Sequence, residues 1–411
     1  MPTGFFWLVT AQFLSGIADN ALLIVTMALL AEQGYAPWWA PALKLAFTWS
    51  YVLLAPLVGH VADGCIKRHL MAYTNGLKLL AAACMLAGMN PIAAFAVVGL
   101  GASLYAPAKY GLMTELVAPK QLIRANGWLE VTVVLSVLLG IALGGWLVSE
   151  QWLAHQTFAA YVAGGSYAVQ TLLWPSLCAV VAMYAVAGAV NMGVPKLPAR
   201  LPHWRHQCLE IMRTFLLANS KLWRDGLGGL SLSVTTIFWG ASAVMQFAVL
   251  RWASEVLALP LDQAAYLQAC VAIGVMVGAA LSAKTVQLMR SVRLLPVGIV
   301  LGVLVAIAAW TQTVDGALTM LLLVGAAGGA LVVPMNALLQ YRGYRLLSPG
   351  VSIAVQGFNE NVSILLMLAA YALLLGAGVP IVWLMSGFGL LVALSMLVVL
   401  WRSRFWYRRA G

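Results

Sequence analysis

The sequence predicts an all-α integral membrane protein, with twelve transmembrane helices in two six-helix halves. Composition comes first: 63% of the 411 residues are hydrophobic and 9% are charged, against about 25% charged in soluble domains. Spacing comes second, because about twelve apolar runs each exceed the roughly 18 residues that carry a helix across hydrocarbon. Charge comes third. Twenty of the 23 Lys and Arg fall into alternate gaps between the runs, while the other gaps hold Glu32, Glu150, Glu255, Asp262 and Asp315 and no base. Basic loops resist translocation, so the alternation predicts a multi-pass chain with both termini cytoplasmic.

The runs are expected near 5–30, 40–61, 70–88, 91–112, 124–148 and 168–193 in the first half. In the second they fall near 227–257, 262–288, 294–313, 316–340, 349–377 and 380–401. The first run is interrupted by Asp19 and Asn20 and lacks a basic leading region, which sets it apart from a cleaved signal peptide. Trp7, Trp38, Trp39, Trp152, Trp401 and Trp406 lie near span ends, where aromatic rings favour the interface. An aromatic extracytoplasmic segment is expected at about 149–167. The division is residues 1–194, a cytoplasmic linker 195–226, and residues 227–411. The linker carries Trp204, Arg205, Leu209, Ile211, Met212, Arg213, Phe215, Leu216 and Lys221. These suit an amphipathic helix lying on the membrane as well as an ordinary inter-domain connection.

Six plus six spans is the pattern of a duplicated transporter fold. A short echo falls where duplication places it: Asn126-Gly-Trp-Leu-Glu130 opens span 5, and Gln356-Gly-Phe-Asn-Glu360 lies in span 11. Gly140/Gly144 and Gly325/Gly329 form small-residue pairs of the kind that let helices approach closely.

Six ionisable residues fall inside spans: Asp19, Lys44, Lys78, Glu130, Arg251 and Glu360. Each costs about 2.5–3.5 kcal/mol near a helix centre, so each is expected to face protein or water and to find a partner. Lys44 and Arg251 lie near outer ends, within snorkelling reach. In the first half Asp19, Lys78, Lys109 and Glu130 balance two acids against two bases. In the second, Glu360 and Arg251 are accompanied by Gln246, Asn336, Gln340, Gln356, Asn359 and Asn361. Two readings stay open: polar clusters lining a central cavity, where a cation meets phosphate and an acid meets an amine, or salt bridges that lock the halves.

Enzyme chemistry finds no support. His60, His69, His155, His203 and His206 show no metal-ligand spacing, the five cysteines form no CxxC, and no nucleotide-binding loop appears. Neither a catalytic residue, a metal site nor a cofactor is expected. The net charge of +11 is scattered among loops, which fits anionic lipid headgroups rather than nucleic acid.

Gly59-His-Val-Ala-Asp63-Gly-Cys-Ile-Lys67-Arg68 resembles the G-x-L-A-D-R-x-G-R-K signature between helices 2 and 3 of the major facilitator superfamily. It departs from that signature at Gly64 and in its shortened end. An acid and bases at such a helix end suit a cytoplasmic gate. Further blocks are Gln12-Phe-Leu-Ser15, Asp19-Asn-Ala-Leu-Leu23, Asn75-Gly-Leu-Lys78-Leu-Leu80, Pro107-Ala-Lys-Tyr-Gly111, Phe238-Trp-Gly-Ala241 and Pro334-x-Asn-Ala-Leu-Leu-Gln340. With Asn126-Gly-x-x-Glu130 they make the chain similar to the bacterial lysophospholipid transporter family.

That resemblance implies the major facilitator fold and transport of lysophosphatidylethanolamine-type lipids from outer to inner leaflet of the bacterial inner membrane, where a separate cytoplasmic acyltransferase restores the missing chain. A monomer moving substrate by alternating access is expected. The rivals are proton-coupled efflux of amphipathic drugs, and a membrane scaffold that recruits the acyltransferase. The resemblance implies roles for Asp19, Asn20, Lys78, Lys109, Glu130 and Glu360. Members often carry a base in helix 7 where this chain has Gln246. Arg251 follows five residues later, about 140° around the helix, which leaves headgroup preference open.

Overall fold

The computed structural model describes residues 1–35, 39–153, 172–199, 208–259 and 261–410. The expected aromatic segment from 154 onward, Trp38, Trp204, Arg205, His155, His203 and His206 lie outside the described residues, as does the side chain of Lys44.

Fourteen α-helices run through the described residues. They are α1 (Thr3–Glu32), α2 (Trp39–Leu53), α3 (Ala55–Gly64), α4 (Lys67–Leu86), α5 (Pro91–Leu116), α6 (Leu122–Leu147) and α7 (Trp174–Asn191). Then follow α8 (Cys208–Arg224), α9 (Gly226–Glu255), α10 (Leu261–Thr285), α11 (Leu295–Ala308), α12 (Val314–Leu346), α13 (Pro349–Gly376) and α14 (Ile381–Ala410). Ten helical segments are long and apolar enough to cross a bilayer. The chain is a multi-pass membrane protein, and its helices are consistent with the twelve-helix fold. The two expected spans missing from the ten have physical reasons. Span 2 is two shorter helices rather than one, broken at Leu54 ahead of Pro56, whose missing N–H removes a rung from the ladder. Span 3 is α4, where Lys67, Arg68 and Lys78 dilute the apolar run.

Contacts divide the chain into two compact units. One comprises Met1–Leu116, Leu135–Met212 and Pro349–Ala354; the other comprises Val117–Val134, Arg213–Ser348 and Val355–Gly411. Helix α6 therefore packs by its first half in the second unit and by its remainder in the first, and the opening turn of α13 belongs to the first.

The core of the first unit gathers Leu22, Val25 and Leu29 of α1, Met85 of α4, Phe95 and Val98 of α5, and Leu177 and Tyr184 of α7. Small residues seat α6 on α1: a Cβ at Gly140 would meet Ile17 and Asn20, and one at Gly144 would meet Ala21 and Ile24. In the second unit Trp252 is fully buried and donates its indole N–H to the Ala309 carbonyl at 2.9 Å. Helices α10 and α12 touch backbone to backbone, so that a Cβ at Gly278 would collide with the Ala326 carbonyl and one at Gly329 with that of Val275. These contacts give both glycine pairs the packing role read from their spacing.

Helix α8 is amphipathic. Ile211, Phe215, Ala218 and Leu222 form a buried stripe, while Met212, Leu216 and Leu217 stay exposed. Phe215 meets Phe358 of α13 edge to face at 5.4 Å between centroids. At its end Asp225 caps α9 through the Gly228 N–H at 2.7 Å and accepts from Arg342 of α12. Burial alone would raise the Asp225 carboxyl; the bonds from Arg342 and from the Gly228 and Leu227 N–H groups outweigh it and hold the group below the usual carboxylate range.

Gly278→Leu is expected to destabilise the detergent-solubilised protein by about 1–3 kcal/mol, the usual cost of overpacking. Gly188→Leu, which adds a side chain where no atom lies within 4 Å, should leave the melting temperature unchanged. Equal melting of the two variants would refute the close α10–α12 contact.

Candidate functional site

In the first unit the deepest polar group is an ion pair. Lys78, mid-way along α4, donates to both Asp19 oxygens at 2.9 and 2.7 Å. Its ammonium also approaches the Ser15 hydroxyl at 3.3 Å and lies 5.2 Å from the centre of the Tyr105 ring. Tyr184 of α7 donates its hydroxyl to Asp19 Oδ1 at 2.7 Å, and Ser15 donates to Asn75 at 2.9 Å. The two partners differ in access: Lys78 is 1% exposed and Asp19 is 22% exposed. The base therefore fixes and neutralises the acid from behind, while the carboxylate faces open space. One helical turn separates Asp19 from Ser15, and another separates Ser15 from Gln12, which accepts from Lys109 of α5 at 3.3 Å. That ammonium lies 4.3 Å from the centre of the Tyr110 ring. Asn20 turns back on its own helix, donating to the Gly16 carbonyl at 2.8 Å.

A second polar group of this unit lies at the basic end of α3 and α4. Asp63 is fully buried and accepts from the backbone N–H of Gly350 and Val351 at 2.9 and 3.1 Å, at the N-terminus of α13. Lys67 is buried beside it, 3.9 Å from Asp63 and 2.9 Å from Glu115 of α5. Gly59 supplies the close approach: a Cβ there would lie 2.8 Å from the Val351 Cα. Asp63 lies in the last turn of one helix and Lys67 begins the next, with Cys65 and Ile66 between them. The helix ends are buried because an acid that takes two backbone donors and a neighbouring base is already satisfied. The Arg68 carbonyl accepts from Asn191 of α7 at 3.0 Å.

In the second unit the polar group centres on α12. Asn336 and Gln340 stand one turn apart on that helix, both buried. Gln340 exchanges two hydrogen bonds with Asn126 of α6, at 2.8 and 3.1 Å. Asn336 accepts from Gln356 of α13 at 3.0 Å, and Gln356 also donates to Glu360 at 2.8 Å. Thr235 of α9 and buried Glu130 of α6 are near enough to Glu360 to interact electrostatically with it. The amide that opens each echo segment is thus held by one of two successive same-face positions on α12. Each echo glutamate stands one turn beyond its amide.

Comparison with known proteins decides the family. The Major Facilitator Superfamily model matches residues 39–346. The lysophospholipid transporter of Escherichia coli O127:H6 is 41% identical over 400 residues, covering 97% of this chain and 95% of that protein. Its counterpart in Citrobacter koseri is 41% identical over 408 residues, covering 99% and 96%. The chain belongs to the lysophospholipid transporter family of the major facilitator superfamily. Solved structures similar in fold include a Major Facilitator Superfamily transporter, FucP, in the outward conformation, at TM-score 0.73 and 14% identity, with 98% of both chains covered. A bacterial homologue of the iron transporter ferroportin, in an outward-facing state, gives 0.66 at 18% identity, covering 97% of this chain and 99% of that one.

Against the pattern expected of this family, the structure pairs Asp19 with Lys78, joins Lys109 to the same polar row through Gln12, and groups Glu130, Asn336, Gln356 and Glu360. It does not bring Arg251 to Glu360. Arg251 pairs instead with Glu255 one turn on, both about half exposed, which fits a base at an outer helix end with solvent in reach. Gln246 lines a largely apolar cavity, and its backbone carbonyl accepts from Gln268 of α10. Asn359 faces α8, accepting from the Trp223 indole at 3.0 Å and donating to Asn219 at 2.9 Å.

Sequence reasoning missed Tyr184 and Glu115. Tyr184 is the sole hydroxyl-bearing aromatic of the apolar α7 run, a detectable though faint signal. Glu115 lies 48 positions from Lys67, and no local pattern links them.

Removing one partner of a buried pair leaves an uncompensated charge, at about 3–5 kcal/mol, whereas replacing both with uncharged groups is often near neutral. Asp19→Asn and Lys78→Met singly should each lower the melting temperature, with Asp19→Asn/Lys78→Met recovering most of the loss. Additive losses would mean that the pair is not coupled.

Proposed function

We propose that the protein carries lysophosphatidylethanolamine-type lipids from the outer to the inner leaflet of a bacterial inner membrane by alternating access, delivering them for reacylation by a separate enzyme. The observation that carries this reading is the ion pair of Asp19 and Lys78, sunk half-way along two apolar helices with its carboxylate side open. Groups so costly in hydrocarbon mark a substrate pathway by default. The relatives in Escherichia coli and Citrobacter koseri carry the name lysophospholipid transporter. An ethanolamine headgroup supplies an ammonium that the Asp19 carboxylate is placed to meet; within the second unit, Glu360 with the amides of Asn336 and Gln356 offers an acid and hydrogen-bonding groups of the same kind.

The alternate distribution of basic residues supports cytoplasmic termini, which puts the Asp63–Lys67–Glu115 cluster on the cytoplasmic side. There it serves as a gate: the Asp63 carboxylate caps the first turn of α13, and loss of those two bonds frees that turn to move. The working unit is a monomer of two six-helix halves, residues 1–194 and 227–411, joined by the linker 195–226.

The test supplies headgroup-labelled lysophosphatidylethanolamine outside cells that contain or lack the protein and follows its conversion to diacyl lipid. Conversion should depend on the protein and should fall at least tenfold in Asp19→Asn, with membrane insertion unchanged. Equal conversion with and without the protein would refute the reading, and altered drug tolerance in its place would favour efflux.

A further inference from the structure

The second unit contains a cavity of about 260 Å³ lined by α9, α10, α11, α12 and α14. Protein interiors pack as densely as organic crystals and hold few voids larger than a water molecule. Loose packing does not account for this one, because α10 and α12, which form one wall, touch backbone to backbone at Gly278 and Gly329. The lining is aliphatic, aromatic and thioether: Phe238, Met245, Val275, Leu301, Phe388 and Met396 typify it. Apolar cavities of about 150 Å³ stay dry and take up a molecule the size of benzene.

Shape and position narrow the occupant. The lining positions on α9 run from Phe238 through Ala241, Ser242, Met245 and Gln246 to Val249, about 16 Å along one helix face. An elongated slot suits an alkyl chain rather than a compact solute. Its Phe238 end lies one turn along α9 from Thr235, a residue close enough to Glu360 to interact with it. A polar head and an apolar tail therefore find places near one another within one unit. Three methionines, Met245, Met385 and Met396, face the cavity, and their unbranched polarizable side chains adapt to chains of differing length.

We infer that this slot is the acyl-chain subsite: it takes the single alkyl chain of the lysolipid, with the headgroup at Glu360 and the chain running along α9 toward Val249. The inference rests on the lysophospholipid reading above and adds where the chain sits and what limits its length. An alkyl chain can also come from a diacyl bilayer lipid, and the experiment separates the two sources.

The full-length protein in proteoliposomes is given lysophosphatidylethanolamine carrying 10-, 14- or 18-carbon chains, and inward movement is read by loss of extraction by external albumin. Ala272→Phe, which fills the slot from α10, should depress transport of the 18-carbon lipid about tenfold relative to the 10-carbon lipid, the loss expected for two methylenes left unburied. Met245→Ala, which widens the slot without overpacking, should leave the 18-carbon lipid favoured. If transport persists and neither variant alters the chain-length ratio, the subsite is refuted. If the unsubstituted protein moves none of the three lipids, the failure lies with the proposed function. In a second arm, an 18-carbon lysophosphatidylethanolamine with a diazirine at the chain end should label the stretch from Met385 to Met396, and unlabelled lysolipid should compete. Labelling by a diacyl phosphatidylethanolamine probe that lysolipid does not displace would assign the slot to bilayer lipid and overturn the inference.

Discussion

The cost of a charge in hydrocarbon is the constraint on which this structure turns. A chain with so few ionised groups has placed several among apolar helices, and these are matched. Lys78 is spent on Asp19, Lys67 on Asp63 and Glu115, and Arg342 on Asp225. Such pairs contribute little net stability compared with apolar replacements. Their persistence in otherwise apolar helices is better explained by what they hold in place. The Asp19 pair ties α1 to α4 and, through Tyr184, to α7. The Lys67 cluster ties α3, α4 and α5 to the first turn of α13.

The echo between Asn126-Gly-x-x-Glu130 and Gln356-Gly-x-x-Glu360 acquires a physical basis from α12. Two amides one turn apart on a single helix receive the two segments, Gln340 taking Asn126 and Asn336 taking Gln356. Side-chain amides suit such a joint because each offers donor and acceptor at once. Their bonds carry no net charge, so exchanging one partner for another strands no ion. Helices that must shift during a transport cycle are well served by joints of that kind, while charged pairs fix what stays together.

The fold was legible in the chain because membrane insertion leaves a coarse record. Apolar run length, the alternation of Lys and Arg, and glycines four apart each correspond to one physical requirement, and α1, α5, α9 and α12 lie where those signals place them. The site was legible only in part. Buried acids and bases stood out as individual residues, since any charge inside a span must be explained. Their pairing did not, because apolar run length leaves helix rotation free. Glu130 and Asp19 looked like members of one charge-balanced set, yet they fall in different units. Arg251 reads as a base near an outer helix end, but the sequence does not name its partner, a glutamate one turn away on its own helix.

Exposure adds a chemical distinction that residue identity alone does not carry. In the Asp19–Lys78 pair the base is sealed and the acid is open. In the α12 cluster the acidic side chains are Glu130 and Glu360, while Arg251 pairs with Glu255. On the proposed reading a substrate therefore meets acids first. A cationic amine gains from that arrangement, and a headgroup bearing phosphate alone does not. On that reading a headgroup lacking the amine would forfeit the interaction that the Asp19 carboxylate is placed to make.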